Sequence, residues 1–270
     1  MLLSVPHAGR SYAPAILERA RVPAHVLQRL EDRHADLLIE DLVAKGYPGL
    51  IARLPRAVID LNRDARDIDG RMVSAIPRNQ PLIQSAKQRG GLGLFPRALP
   101  RYGDLWRGTI SWDEAQGRIS HAHEPYHSTI EGELDLLAGR HGQALLVDVH
   151  SMPPLSLFAA GRPRPDVVIG DRFGGSASGR LAEVASAVVE AHGMAAALNH
   201  PYPGSYLIER HGRPARGRHA LQIEISRDLY LDERMESPGP GVGRVRNMLA
   251  RLVEELGREL IRGCWSEAAE

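Results

Sequence analysis

The segment ALLVDVHSMP, residues Ala144–Pro153, runs a short apolar stretch into an abrupt polar end at Asp148, His150 and Ser151, with prolines directly after. A buried strand looks like this when it delivers polar side chains to the edge of a sheet, where α/β enzymes place their sites. Working outward, Leu2–Val5 repeats the pattern on a smaller scale: an apolar run stopped by Pro6 and followed by His7-Ala8-Gly9. Asp166–Gly170 and Ala220–Ile225 read as two further buried strands, and Met194–Asn199 as another. Gly179–His192 and Val242–Arg262 carry apolar residues at helical spacing. His123–Arg140 reads as a helix with Ile130, Leu134 and Leu137 inward, and Val26–Lys45 as one long amphipathic helix. Leu50–Leu54 and Ala57–Leu61 are expected as short strands around Pro55.

Strands alternating with helices predict an α/β protein, a single three-layer α/β/α domain over residues 1–270 around a central mixed, mostly parallel sheet. From Asp64 to Trp112 the chain is rich in Arg, Gly and Pro and weak in periodicity, so a long loop-rich insertion covering the site is expected there. The chain has 270 residues, 43% of them hydrophobic, enough for a substantial core. With 34 basic and 33 acidic residues there is no global field to recruit nucleic acid or an anionic membrane. No apolar run approaches the roughly 20 residues that cross a bilayer. Met1 leads straight into LLSVPH without a basic leader, so a cytoplasmic protein is expected. The single cysteine, Cys264, excludes an internal disulfide and a cysteine-based zinc site, and it is expected to be inert.

The chemistry-bearing residues cluster at element ends. His7 and His150 each follow an apolar run, and imidazole is a common zinc ligand; a catalytic zinc site takes three protein ligands and leaves a position open. Two histidines then need a carboxylate, for which Glu31, Asp32 and Asp36 compete, while Asp148 suits a role orienting an imidazole. The competing reading is that these histidines only hydrogen-bond within turns; no compact HExxH pattern decides between the two. Asp60-Leu61-Asn62-Arg63 offers a planar guanidinium and an amide that would suit an acidic substrate, or else an ordinary ion pair with Asp67 or Asp69. Glu224, near the end of the apolar strand LQIEI, is costly to bury unless it is paired, with Arg227 or Arg63, or serves as a general base. His121, His123 and His127 stand around the start of a helix, facing solvent or a pocket. Tyr202 to Tyr206 around Gly204 could shape a substrate wall or simply form a turn, and Arg210 and His211 could bind an anion, although a solvated basic loop is the better reading.

Taken in order, SVPHAG (Ser4–Gly9), DLNR (Asp60–Arg63), YHSTI (Tyr126–Ile130), DVHSMP (Asp148–Pro153), GDRFGGS (Gly170–Ser176) and the run from NHPYPGSYLIERHG through LQIEISRDLYLDE resemble the N-formylglutamate amidohydrolase family. The resemblance spans nearly the whole chain. It implies a fold related to zinc carboxypeptidases and aspartoacylases and a metal-dependent hydrolysis of N-formyl-L-glutamate, or a related N-acyl amino acid, of the kind used in histidine degradation. By the same resemblance His7 and His150 are two ligands of one zinc ion, or another divalent metal, and an acid of EDRHAD is the third, with Asp36 preferred to Asp32. Asn62 and Arg63 would grip a substrate carboxylate, with Arg210, His127 and Tyr206 as further substrate contacts, and Glu224 and Arg63 would be catalytic. Unlike the carboxypeptidase pattern, no glutamate stands three positions after His7. Two rivals remain: a metallohydrolase of the same fold acting on a different N-acyl amino acid or a peptide end, and a non-catalytic metal-binding or regulatory relative. The expected partner is an acidic small molecule; neither nucleic acid nor membrane is expected, and the oligomeric state is open.

Overall fold

The structure is a computed structural model that describes residues 1–155 and 164–267, with side chains through residue 262. Its apolar runs assemble a six-stranded sheet. β1 (Leu2–Val5), β2 (Gly49–Ile51), β3 (Ala144–Met152), β4 (Val167–Gly170), β5 (Ala196–Leu198) and β6 (Arg218–Ser226) stand in the order β2-β1-β3-β6-β4-β5. β1 and β6 run parallel to β3, β4 runs antiparallel to β6, and β5 runs parallel to β4. The protein is thus α/β with a mixed, mostly parallel sheet, as the alternation of strands and helices predicts.

Because side chains alternate across a strand, register decides which residues share a face. Ser4 pairs with Asp148, Gln222 with Asp148 and Glu224 with His150, so five polar residues stand on one face of three adjacent strands. Val147, Val149, Ile223 and Ile225 take the other face and are buried at 0–1% exposure. Full burial of one such side chain is worth roughly 1.5–3 kcal/mol, so a register slip that exchanged the faces would lose several of these at once. Gly170, opposite Gln222, has a packing reason: a Cβ there would lie 2.8 Å from the backbone nitrogen of Gly204. Only glycine lets the Pro203-Gly204 backbone press against this strand.

The helices include α1 (Trp112–Arg118), α2 (Glu124–His141), α3 (Gly179–Ala191), α4 (Tyr206–His211) and α5 (Val242–Glu267), besides shorter ones such as Pro14–Arg19. Ser111 caps α1 by accepting the Glu114 amide at 3.1 Å. α3 and α5 pack on each other, and each buries an apolar stripe, Leu181, Ala185 and Val189 on α3 and Val245, Leu249 and Leu252 on α5. Cys264 lies on α5, with its side chain outside the described residues.

The chain forms two compact units. One comprises Met1–Val5, His34–Leu50 and Ile130–Glu270 and holds the sheet strands together with α3–α5; the other comprises Pro6–Arg33 and Ile51–Thr129. The second unit is made mainly of turns, short helices and two-residue strands, in keeping with the weak periodicity of Asp64–Trp112.

Two local expectations fail. Val26–Lys45 is no single helix: a helical turn at Ala24–Leu27 passes through Gln28–Leu30 into extended Glu31, and the chain restarts at left-handed His34 (φ 60°) before Ala35–Ile39 and Glu40–Ala44. The break turns the Asp32 amide toward the His7 carbonyl at 2.9 Å, a bond that an unbroken helix would forbid. Ala57–Leu61 forms turns in place of a strand, with its polar groups bound elsewhere: Val58 N–H donates to Pro55 O and Asp60 N–H to Leu94 O.

Candidate active site

In the second unit, the turn after β1 brings His7 between two carboxylates. Its Nε2 lies 2.7 Å from Asp60 Oδ1 and its Nδ1 3.2 Å from Asp32 Oδ2, with all three residues buried. Gly9 allows this turn to close, since a Cβ there would sit 2.3 Å from the Leu54 carbonyl oxygen. Asp60 is fixed from every side. It accepts the Asn62 amide at 2.9 Å, as aspartates do when they shape a turn, and the Arg56 Nε–H at 2.9 Å. Burial pushes its carboxyl up, yet the charges of Arg56, His7 and Arg63 outweigh that and hold it well below the usual carboxylate range.

Ionised Asp60 can only accept, so His7 donates from Nε2. A neutral imidazole then carries a lone pair on Nδ1, facing a carboxylate oxygen that also offers lone pairs. A cation shared by that nitrogen and oxygen would satisfy the contact. Two histidines and a carboxylate are a donor set that suits a catalytic zinc ion.

In the first unit, His150 Nε2 donates to Asp148 Oδ2 at 2.7 Å, and Ser4 Oγ donates to Asp148 Oδ1 at 2.7 Å. Each histidine is therefore held through Nε2 by a buried aspartate that is itself hydrogen-bonded. One strand over, Glu224 sits beside His150 at 9% exposure. Gln222 Nε2 donates to Glu224 Oε1 at 2.9 Å while its own Oε1 accepts the Ser205 amide at 3.0 Å. Burial, and then the negative charge of Glu224, raise the pKa of Tyr202, which places that phenol in the glutamate's field. Arg227, a candidate ion partner of Glu224 in the sequence, donates Nε–H to Ser151 Oγ at 3.0 Å.

The other expected site residues divide between the units. Arg63 is buried and donates to Leu92 O from Nε and to Asn62 O from Nη1, both at 3.0 Å. His127 and His123 are fully buried, and their Nε2 atoms donate to the carbonyls of Leu61 at 2.9 Å and Arg63 at 2.8 Å. His121 is exposed, with its ring on Gly117 O. Arg210 Nη1 donates to Tyr206 Oη at 3.1 Å, one turn along α4. Asp36 is buried in the 3-10 turn Ala35–Ile39 of the first unit. Glu31, beside Asp32, is fully buried; that burial raises its pKa despite the Arg33 guanidinium 2.9 Å away.

Sequence reasoning passed over Asp60, Ser4 and Gln222. Gln222 carried a signal, since it stands two residues before Glu224 on the same strand, whereas Ser4 meets Asp148 only through the register of two strands. Asp60 carried only its place at the head of DLNR.

The chain is similar to known proteins over most of its length. Residues 1–231 match the family described as N-formylglutamate amidohydrolase. The chain is 30% identical over 240 residues to the N-formylglutamate deformylase of Pseudomonas aeruginosa, covering 86% of this chain and 82% of that one. The Pseudomonas putida enzyme of the same name gives 30% over 236 residues with the same coverage. Among solved structures, the N-formylglutamate amidohydrolase of Ralstonia eutropha superposes with a TM-score of 0.88 at 31% identity, covering 97% of this chain and 94% of that one. With its motifs in order along the chain and its family match running through residue 231, this protein belongs to the N-formylglutamate amidohydrolase family.

Proposed function

We propose that the protein hydrolyses the amide bond of N-formyl-L-glutamate or a related N-acyl amino acid, releasing formate, or the matching acid, and the free amino acid. His7, Asp32 and His150 are the residues that would hold one divalent metal ion, zinc by donor preference, the two histidines by the resemblance of their motifs to the family and Asp32 by its contact with His7. Asp32 takes the place of Asp36 in this set because its carboxylate is the one beside His7 Nδ1. The observation that carries the reading is the pair of aspartate-held histidines, with a strand-borne glutamate in register with one of them. Membership of the family supplies the substrate class.

A metal held there would act as a Lewis acid on the amide carbonyl and increase the acidity of a nearby water. Glu224 takes the proton from the attacking water and returns it to the amide nitrogen as the C–N bond breaks. Gln222 holds Oε1 of that glutamate, which assigns the proton to Oε2. Arg63 and Asn62 hold a substrate carboxylate, and Arg210 with Tyr206 gives the substrate a second polar contact.

The test is a panel of N-acyl amino acids assayed with purified protein whose metal content has been measured. The expected result is about one metal per chain, loss of activity on chelation, and turnover greatest with an N-formyl dicarboxylic amino acid. Metal without turnover of the formyl compound but with turnover of other acyl groups would move the substrate class. Absence of both metal and turnover after zinc addition would leave the non-catalytic reading.

A further inference from the structure

α1 and α2 are joined without a break by one π turn, Ile119–His123, closed by the i→i+5 bond from the Glu124 amide to the Ile119 carbonyl. In an uninterrupted α-helix, residues four apart share a face. A π turn inserts one residue, so the residue that falls one turn after Arg118 is His123 in place of Ala122, and His127 follows at ordinary α-helical spacing. All three donate to backbone carbonyls of a single short segment. Arg118 Nη1 binds Val58 O at 2.7 Å, His127 Nε2 binds Leu61 O at 2.9 Å and His123 Nε2 binds Arg63 O at 2.8 Å. The two imidazoles are fully buried and lie against each other with centroids 4.3 Å apart. A carbonyl only accepts, which makes both rings Nε2–H tautomers.

The segment they hold bears Asp60, Asn62 and Arg63. Its own backbone makes no strand, so its shape depends on these side chains and on Asp60, which accepts the Asn62 amide.

We infer that the π turn is a register device: it aligns Arg118, His123 and His127 in one row so that they clamp residues 58–63 and fix the angle at which Asn62 and Arg63 meet a substrate carboxylate. His127 and His123 are then positioning residues that act through the backbone of the grip. The inference rests on the reading of Asn62-Arg63 as a carboxylate grip, and its test separates the two.

Three variants of His127 divide the possibilities by where a donor stands. His127→Leu removes it, His127→Asn places an amide near the Nδ1 position, too short to reach Leu61 O, and His127→Gln carries an amide out to the Nε2 position. Each is assayed with an N-acyl amino acid and with the same compound capped as its carboxamide. Leu and Asn are expected to raise KM for the free acid about tenfold or more with kcat changed by less than about threefold, and Gln to restore KM to near the wild-type value. Capped substrate should show no such rise. Should His127→Leu fail to fold, the contrast between Asn and Gln carries the test alone. Wild-type KM in His127→Asn, or equal KM in Asn and Gln, overturns the positioning role. Wild-type enzyme indifferent to capping would instead overturn the carboxylate grip, and with it the purpose assigned to the clamp.

Discussion

Asp148 and Asp60 do the same work by different means. Asp148 reaches His150 because the two residues stand two apart on β3, on the face they share with Ser4, Gln222 and Glu224. Asp60 reaches His7 across 53 residues of chain, from a segment without regular structure whose carbonyls are held by helix side chains. On the strands, the backbone ladder places the polar residues. In the 58–63 turn, side chains also build the backbone. Damage on the strands should therefore stay with the altered residue, whereas damage in the turn should spread along it.

The largest effect is expected at a strand residue. Glu224→Gln preserves shape and the neighbouring ladder but removes the proposed base, so turnover should fall by about 10²–10⁴-fold while metal content and thermal midpoint stay at wild-type values. Loss of metal in that variant would mean that the strand residue is structural as well.

The paired comparison comes next. Asp148→Asn and Asp60→Asn should each weaken metal binding by about 10–100-fold, measured by competition with a chelator. Asp60→Asn should in addition raise KM and lower the thermal midpoint, because it disturbs the Asn62 turn and leaves Arg56 and Arg63 without their shared anion. Equal effects of the two variants on KM and midpoint would erase the distinction between strand and turn.

Smaller effects follow from packing. Gly170→Ala and Gly9→Ala each force a Cβ against backbone, 2.8 Å from Gly204 N and 2.3 Å from Leu54 O. Each should cost about 1–3 kcal/mol in denaturant unfolding. Gly9→Ala should also lower activity, since it moves the turn that carries His7.

The smallest effect is a pH dependence within the second unit. Burial raises the Asp69 pKa, but hydrogen bonds from Arg97 and Arg71 outweigh it, and the carboxyl sits below its usual range. A depressed carboxylate stabilises the fold above its unfolded pKa of about 3.9, and that stability is lost as pH falls through the lower folded value. Asp69→Asn should thus lower the thermal midpoint at neutral pH, with the gap to wild type closing as pH falls below about 4. A gap that persists in acid would show that the loss is one of packing.

The sheet was readable in advance because burial leaves a periodic mark. β1, β3, β4, β6, α3 and α5 all appear as apolar runs or helical stripes, and their ends announce His7, His150 and Glu224. Val26–Lys45 misled because its leucines fall near helical spacing while Glu31 and Asp32 must turn inward, a demand set by His7 from a distant part of the chain. Ala57–Leu61 misled because it is apolar enough for a strand, although its carbonyls are taken by Arg118 and His127.

Fold class, strand ends and the chemical types present at them therefore follow from the order of residues, since short-range alternation and burial are local properties of a chain. Pairings such as His7 with Asp32 and Asp60, and the clamp on residues 58–63, were settled only in three dimensions. A hydrogen bond between residues tens of positions apart leaves no periodic trace, and several carboxylates of equal chemistry compete until the fold brings one of them within reach.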